Sequence, residues 1–318
     1  MSKVLFRSQM TPKYNDLEFQ VIDWTAYDAP DMDEDTDSNS DEEQKLLNQR
    51  NKPWKYTIKA YGVDIDGHSV SVKIKNFKPY FFIKVPDKWK KSHAAVFEKE
   101  IRNQVGQNSY QRRKQNASLY KCELVKRKDF YYFTNNKNFK FIKLTFLNKS
   151  AFYEYQKVFK KSLELKDLKV KIDFSKKIYE SSIDPLLRYF HEMDIKPCSW
   201  VKINKKDCDK NIPAQTRCNI DITCNFNEVH PIEKTSIAPL LVASFDIECT
   251  SCDGSFPNAS RKSDQIIQIG TTFHRYGSKD CHIKHIVTLK DCGKIEEGEN
   301  IIQESYQTEK EVLIAWAK

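Results

Sequence analysis

A chain of 318 residues that is 39% hydrophobic and 31% charged is long enough for two or more globular domains, and it lacks both the roughly 20-residue apolar run of a membrane helix and the apolar core of a signal peptide near Met1. Nine cysteines without framework spacing point to reduced thiols in a nuclear or cytoplasmic compartment rather than secretion, so the Asn-x-Ser sequences at Asn116, Asn148 and Asn258 are not expected to carry glycans. The net charge of +9 is uneven: residues 31–43 hold eight acids and no base, and setting them aside leaves +17, which favours a polyanionic partner, although a Lys-rich surface also serves solubility.

In chain order, the first expected element is a strand at Phe19–Trp24. The acidic stretch follows, and like charge with few apolar residues predicts a disordered surface loop over 31–50. Trp54–Val63 and Ser69–Val85 read as strands around the turn Asp64-Ile65-Asp66-Gly67. Lys88–Val105 has Trp89, Val96, Phe97, Ile101 and Val105 at helical spacing. Leu119–Arg127 and Phe139–Leu147 read as strands, and Ala151–Leu163 as a helix capped by Ser150. The aromatics Phe130, Tyr131, Tyr132 and Phe133 lie beside Lys126, Arg127 and Lys128; such rings either stack bases or serve as core.

Asp184-Pro185 opens a short helix, Leu186–Met193. Short β segments at Trp200–Ile203 and Arg217–Thr223 suggest a small barrel-like appendage, and 231–239 a linker. Leu240–Glu248, Gln265–Phe273 and His282–Leu289 predict an antiparallel meander. Thr308 and Glu311 form a capping box for a last helix, inside which the chain is expected to stop.

The strongest chemical signal is Phe245-Asp246-Ile247-Glu248 after the apolar run Leu240–Ser244. The run reads as a buried strand. Alternation puts Asp246 and Glu248 on one face, where two adjacent carboxylates repel unless paired with cations or metal. Oxygen-only donors suit Mg²⁺ or Mn²⁺, and two such ions clamp the attacking and leaving oxygens of a phosphodiester. An Asp-x-Glu in an acid-rich chain also marks an ordinary solvated strand end.

After Asp253-Gly254-Ser255-Phe256-Pro257 comes Asp264-Gln265-Ile266-Ile267-Gln268-Ile269-Gly270. This series resembles the first exonuclease motif of family B DNA polymerases. Tyr61-Gly62-Val63, Gly67-His68-Ser69-Val70, the segment Phe77–Pro86, Tyr179–Phe190 and Ile195–Trp200 resemble the N-terminal domain of the delta-type enzymes, as in large DNA viruses. The resemblance covers most of residues 55–318. It implies an α+β (mixed α/β) chain. An RNA-recognition-like/OB-like N-terminal domain would span 1–235, followed at 236–318 by the opening antiparallel strands of a ribonuclease H-like 3′–5′ exonuclease domain.

By that resemblance Asp246 and Glu248 are catalytic and metal-binding residues of a proofreading nuclease that works in DNA replication. Asp246 would bind one metal or bridge two, and Glu248 would bind the metal that activates water. The implied partners are a single-stranded DNA 3′ end or primer-template, the rest of the polymerase chain and a sliding clamp. The implied setting is the nucleus or a cytoplasmic viral replication site. The family's later exonuclease patterns, Asn-x3-Phe-Asp and Tyr-x3-Asp, are expected to be missing after Glu248, which leaves two carboxylates of four. The polymerase motifs are absent too, so enzyme activity of this chain alone stays open. The alternative is a catalytically inactive basic nucleic-acid-binding module. A zinc site from Cys249, Cys252, Cys281, His282 and His285 fits no closed tetrahedral spacing, and no nucleotide-binding glycine loop is present.

Overall fold

The computed structural model describes residues 16–30, 53–106, 118–131, 133–204, 206, 208, 216–295 and 300–318. The acidic stretch 31–50 lies outside the described residues, as does Tyr132. The chain divides into two compact units, one of residues 1–62 with 68–234 and one of 63–67 with 235–318.

The first unit holds a six-stranded sheet in the order β11-β3-β2-β1-β10-β12. Its strands are β1 (Asp16–Pro30), β2 (Trp54–Asp64), β3 (Ser69–Lys75), β10 (Trp200–Asn204), β11 (Ile220–Asn225) and β12 (His230–Ile232). β1 extends well past the expected Phe19–Trp24. Along it Leu17, Phe19 and Val21 alternate into the core, where they meet Tyr56, Ile58 and Ala60 of β2. Gly62 permits this approach: a Cβ there would sit 2.2 Å from the Gln20 carbonyl oxygen.

The segments read as an appendage prove integral to this sheet. β10 pairs antiparallel with β1, and β11 pairs parallel with β3. Short segments isolated in sequence gave no sign of their distant partners. Helix α3 (Pro185–Met193), capped by the Asp184 side chain on Leu186 N–H, sends Tyr189 and Phe190 into the same core.

The expected long strand Ser69–Val85 breaks at Asn76, which adopts φ 68°, and Pro79. Beyond the break, β4 (Tyr80–Lys84) belongs to a second sheet, ordered β5-β6-β4-β9, with β5 (Leu119–Lys128), β6 (Asn138–Phe146) and β9 (Ile178–Tyr179). Its recorded pairings are all antiparallel. With helices α1 (Lys91–Gly106) and α2 (Lys149–Val158) the order is the split β-α-β-β-α-β pattern. Phe81, Ile83, Ile142 and Leu144 face the helices in an aromatic core with Phe97, Phe152 and Phe159. Each such buried ring is worth about 1.5–3 kcal/mol of transfer free energy.

Helix α2 ends at Val158, short of the expected Leu163, because Ser162–Leu165 turns into the hairpin strand β7, paired with β8 (Val170–Asp173). Its cap is Asn148, whose side chain accepts the Ala151 N–H; Ser150 instead binds Asp28.

The second unit carries the sheet β13-β14-β15-β16, of β13 (Leu241–Cys249), β14 (Ile266–Arg275), β15 (Ile283–Leu289) and β16 (Ile301–Tyr306). The first three form the expected antiparallel meander, and β16 adds a parallel partner to β15. Helix α4 (Glu309–Trp316) opens with the expected Thr308–Glu311 capping box. Val312 packs between Ile269 and Val287 in a small core.

Candidate metal centre

Strand β13 is not buried, contrary to its apolar composition. It is an edge strand, and Leu241, Val242, Phe245 and Ile247 are each 40–55% exposed. Helix α4 contacts β14, β15 and β16. At β13 the recorded ring contact is Phe245 against Trp316 at 5.0 Å. An apolar run reports the capacity for burial, and among the described residues this one stays largely exposed.

Alternation nevertheless places Asp246 and Glu248 together. Phe245 and Ile247 point to the α4 side, and Asp246 and Glu248 to the opposite face. Register sets Asp246 across from Gly270 and Glu248 across from Gln268. The ladder slips just beyond, between Glu248 and Cys249. Bulges of this kind terminate pairing and re-aim side chains beside functional sites.

Both carboxylates are exposed, and Asp246 Oδ1 accepts the N–H of Ile247 at 2.9 Å. Among the described residues neither has a cation within ion-pair distance. A Cβ on Gly270 would meet nothing within 4 Å. Two oxygen donors without a cation, beside open space, suit a hard divalent ion. Among the described residues no third potential ligand joins them. The one group of three or more is Asp64, Asp66 and His68 in the β2–β3 turn, with ligand atoms within 4.8 Å.

The loop that follows the carboxylates is tightly organised. Arg261 bridges Asp253 at 2.6 Å and Asp264 at 2.7 Å, and donates to the Phe256 carbonyl at 2.8 Å. Asp264 also accepts the Asn258 and Cys252 amides, and these contacts, the Asn258 amide foremost, hold its carboxyl below the usual carboxylate range. Asp253 is held low first by the Ser255 hydroxyl and then by its amide. Gly254 takes φ 74°, and Phe256 projects 92% exposed from this frame. Sequence reading missed Arg261 and the Asp246–Gly270 pairing; the Arg261–Asp264 spacing inside a Gly/Ser/Pro turn was the available signal.

The expected absence of Tyr-x3-Asp after Glu248 needs correcting, since Tyr276 and Asp280 have that spacing. They lie after the end of β14, around Gly277 at φ 85°. Residues four apart share a face on a helix, which this segment is not.

Residues 176–318 match the family model for the exonuclease domain of family B DNA polymerases, and residues 76–156 that for the N-terminal domain of DNA polymerase delta catalytic subunit-like proteins. The DNA polymerase of Acanthamoeba polyphaga mimivirus is 34% identical over 306 residues, 95% of this chain but 16% of that protein. The DNA polymerase delta catalytic subunit of Arabidopsis thaliana is 28% identical over 263 residues, 81% of this chain and 23% of its own length. The chain thus spans less than a quarter of either relative. The family B DNA polymerase from the hyperthermophilic archaeon Pyrobaculum calidifontis shares the fold, with a TM-score of 0.53 at 17% identity over 86% of this chain and 27% of its own.

Proposed function

The chain belongs to the family B DNA polymerases, and on that premise we propose that Asp246 and Glu248 form the first metal-binding element of a 3′–5′ proofreading exonuclease that serves DNA replication. The observation that carries this reading is the pair of uncompensated carboxylates on one face of β13, opposite the open space at Gly270. Mg²⁺ or Mn²⁺ held there would supply an activated water and charge stabilisation for the leaving 3′-oxygen. Asp246 and Glu248 furnish its oxygen donors. Gly270 leaves room for the terminal phosphate. Phe256, on the loop held by Arg261, offers a flat apolar contact to an unpaired base.

In this reading residues 1–235 are the polymerase N-terminal domain, with a split β-α-β subdomain of RNA-recognition-like type. Residues 236–318 belong to a ribonuclease H-like exonuclease domain. The rest of the polymerase chain covers the exposed apolar side of β13 and brings the remaining ligands. The substrate is the single-stranded 3′ end of a primer, and a sliding clamp is a partner of the whole enzyme. The site of action is the nucleus or a viral replication site in the cytoplasm. No helix among the described residues is long and apolar enough to cross a membrane. The match across 176–318 weighs against a module without chemistry.

The test is excision of a mispaired 3′ nucleotide by the complete polymerase. Asp246→Ala with Glu248→Ala removes excision and spares primer extension, because the polymerising metals sit in another domain. Retained excision by the double variant overturns the assignment.

A further inference from the structure

The two carboxylates of β13 each end a row of residues that runs across the sheet. One row is Asp246, Gly270, Ile286 and Gln303; the other is Glu248, Gln268, Thr288 and Ser305. Both rows face away from α4, because Ile269 of β14 and Val287 of β15 turn to Val312 on the opposite side.

The Asp246 row brings no polar side chain to its carboxylate. Gly270 has none, Ile286 is apolar, and Gln303 is engaged elsewhere: it donates to the Gly293 carbonyl at 3.0 Å and accepts the Ile295 amide at 3.1 Å. The Glu248 row is polar throughout. Thr288 is 3% exposed, and its hydroxyl shares a hydrogen bond of 2.9 Å with that of Ser305. Half-buried Gln268 stands between this hydroxyl pair and Glu248. Among the described residues neither the Gln268 amide nor the Glu248 carboxylate has a hydrogen-bond or ionic partner.

Residues directly opposed on an antiparallel pair hold their Cβ atoms about 4.5–5.5 Å apart, so a glutamine reaches the facing carboxylate. Its amide nitrogen donates a hydrogen bond without adding charge. A lysine at this position would neutralise Glu248 and compete with a metal ion, and an aliphatic residue would leave the carboxylate free to swing. A donor on one oxygen of a metal-ligating carboxylate aims the other oxygen at the ion. We propose that Gln268 is the positioning residue of Glu248. Its Nε2 donates to one carboxylate oxygen, its Oε1 accepts from the Thr288 hydroxyl, and Ser305 in turn donates to Thr288. The inference rests on the reading of Asp246 and Glu248 as metal ligands, and it gives Gln268 no contact with DNA.

The test is Mn²⁺ titration of the whole chain, with the apparent dissociation constant read from paramagnetic broadening of the β13 and β14 amide resonances. Gln268→Met keeps the length of the side chain without its amide. It should weaken Mn²⁺ binding about ten-fold, the lower end of the range for lost outer-shell partners, at an unchanged thermal midpoint. Thr288→Val, which frees the glutamine without touching it, should weaken binding in the same direction by a smaller factor. Thr272→Val, on the same face opposite Ser244, should change nothing. In the complete polymerase Gln268→Met should raise the Mn²⁺ needed for half-maximal mismatch excision by the same factor, and saturating Mn²⁺ should restore the rate. Wild-type Mn²⁺ affinity in Gln268→Met overturns the proposal. So does an excision defect that excess Mn²⁺ does not relieve, which would make Gln268 a contact of the substrate. These results are distinct from failure of the metal reading itself, in which Asp246→Asn with Glu248→Gln would also keep wild-type affinity.

Discussion

Asp246 stands directly across the β13–β14 ladder from Gly270, and a methyl group on Gly270 would touch nothing within 4 Å. The fold therefore does not require a glycine at this position; the proposed site does. Gly270→Ala should leave stability unchanged or raise it by about 0.4–1 kcal/mol through lower unfolded-chain entropy. Gly270→Val should be tolerated as well, since a β-branched residue suits a strand. In the complete polymerase Gly270→Val should lower mismatch excision ten-fold or more with little change in primer extension. Full excision by that variant would show that the space is unused.

The loop after the carboxylates should loosen in acid. Hydrogen bonds from Asn258 first, then Cys252, together with the charge of Arg261 hold Asp264 below its ordinary value of 3.8. A carboxyl depressed in the folded state adds stability that is fully present above its unfolded value and is lost as pH falls through its native value. Protection of the 252–264 amides from hydrogen exchange should hold from neutrality to about pH 5 and drop below about pH 4. Asp264→Asn should shrink that acid-dependent drop to the part carried by Asp253, which is also held low, and leave the loop weaker throughout. A drop of unchanged size in the variant would show that Asp264 is not a group whose protonation loosens the loop.

Asn148 should matter far more than Ser150. Asn148 is 4% exposed; its carbonyl oxygen accepts the Ala151 amide, and its Nδ2 donates to the Trp54 carbonyl and the Ser118 hydroxyl. Asn148→Ala loses a helix cap and strands buried partners, for a cost of about 2–4 kcal/mol. Ser150→Ala loses an exposed contact to Asp28 and should cost about 1 kcal/mol or less. Chemical denaturation of the two variants checks the order.

The expected cap at Ser150 shows where sequence reading stops. Asn148 and Ser150 are both capping types two residues apart, and the choice between them depends on Trp54 and Ser118, distant in the chain. Local patterns did locate most elements: the helical spacing of Val96, Phe97, Ile101 and Val105 (the helix begins at Lys91, so Trp89 and the expected start at Lys88 fall before it), the Thr308–Glu311 box, and the alternation that aims Asp246 and Glu248 one way. What stayed hidden was pairing between remote segments, such as β11 beside β3, and the exposure of β13. The Asn76–Pro79 break was written in residue types, but two strands in one apolar run looked continuous.

The isolated chain should bind DNA weakly and hydrolyse none. Its basic surface is spread along the first unit, so affinity should fall steeply with salt. Asp246 and Glu248 are two carboxylates of an expected four, so in-line hydrolysis lacks half its donors. End-labelled primer should survive Mg²⁺ and Mn²⁺ intact. Degradation abolished by Asp246→Ala would mean that these residues already assemble a working site.

The claim that Asp246 and Glu248 hold a divalent ion is tested most directly by Mn²⁺ titration of the isotope-labelled chain, read by paramagnetic broadening of its amide resonances. Broadening should centre on Asp246, Glu248 and the facing Gly270, and Asp246→Asn with Glu248→Gln should abolish it there. Broadening confined to the Asp64–His68 turn, or unchanged in that double variant, would contradict the account.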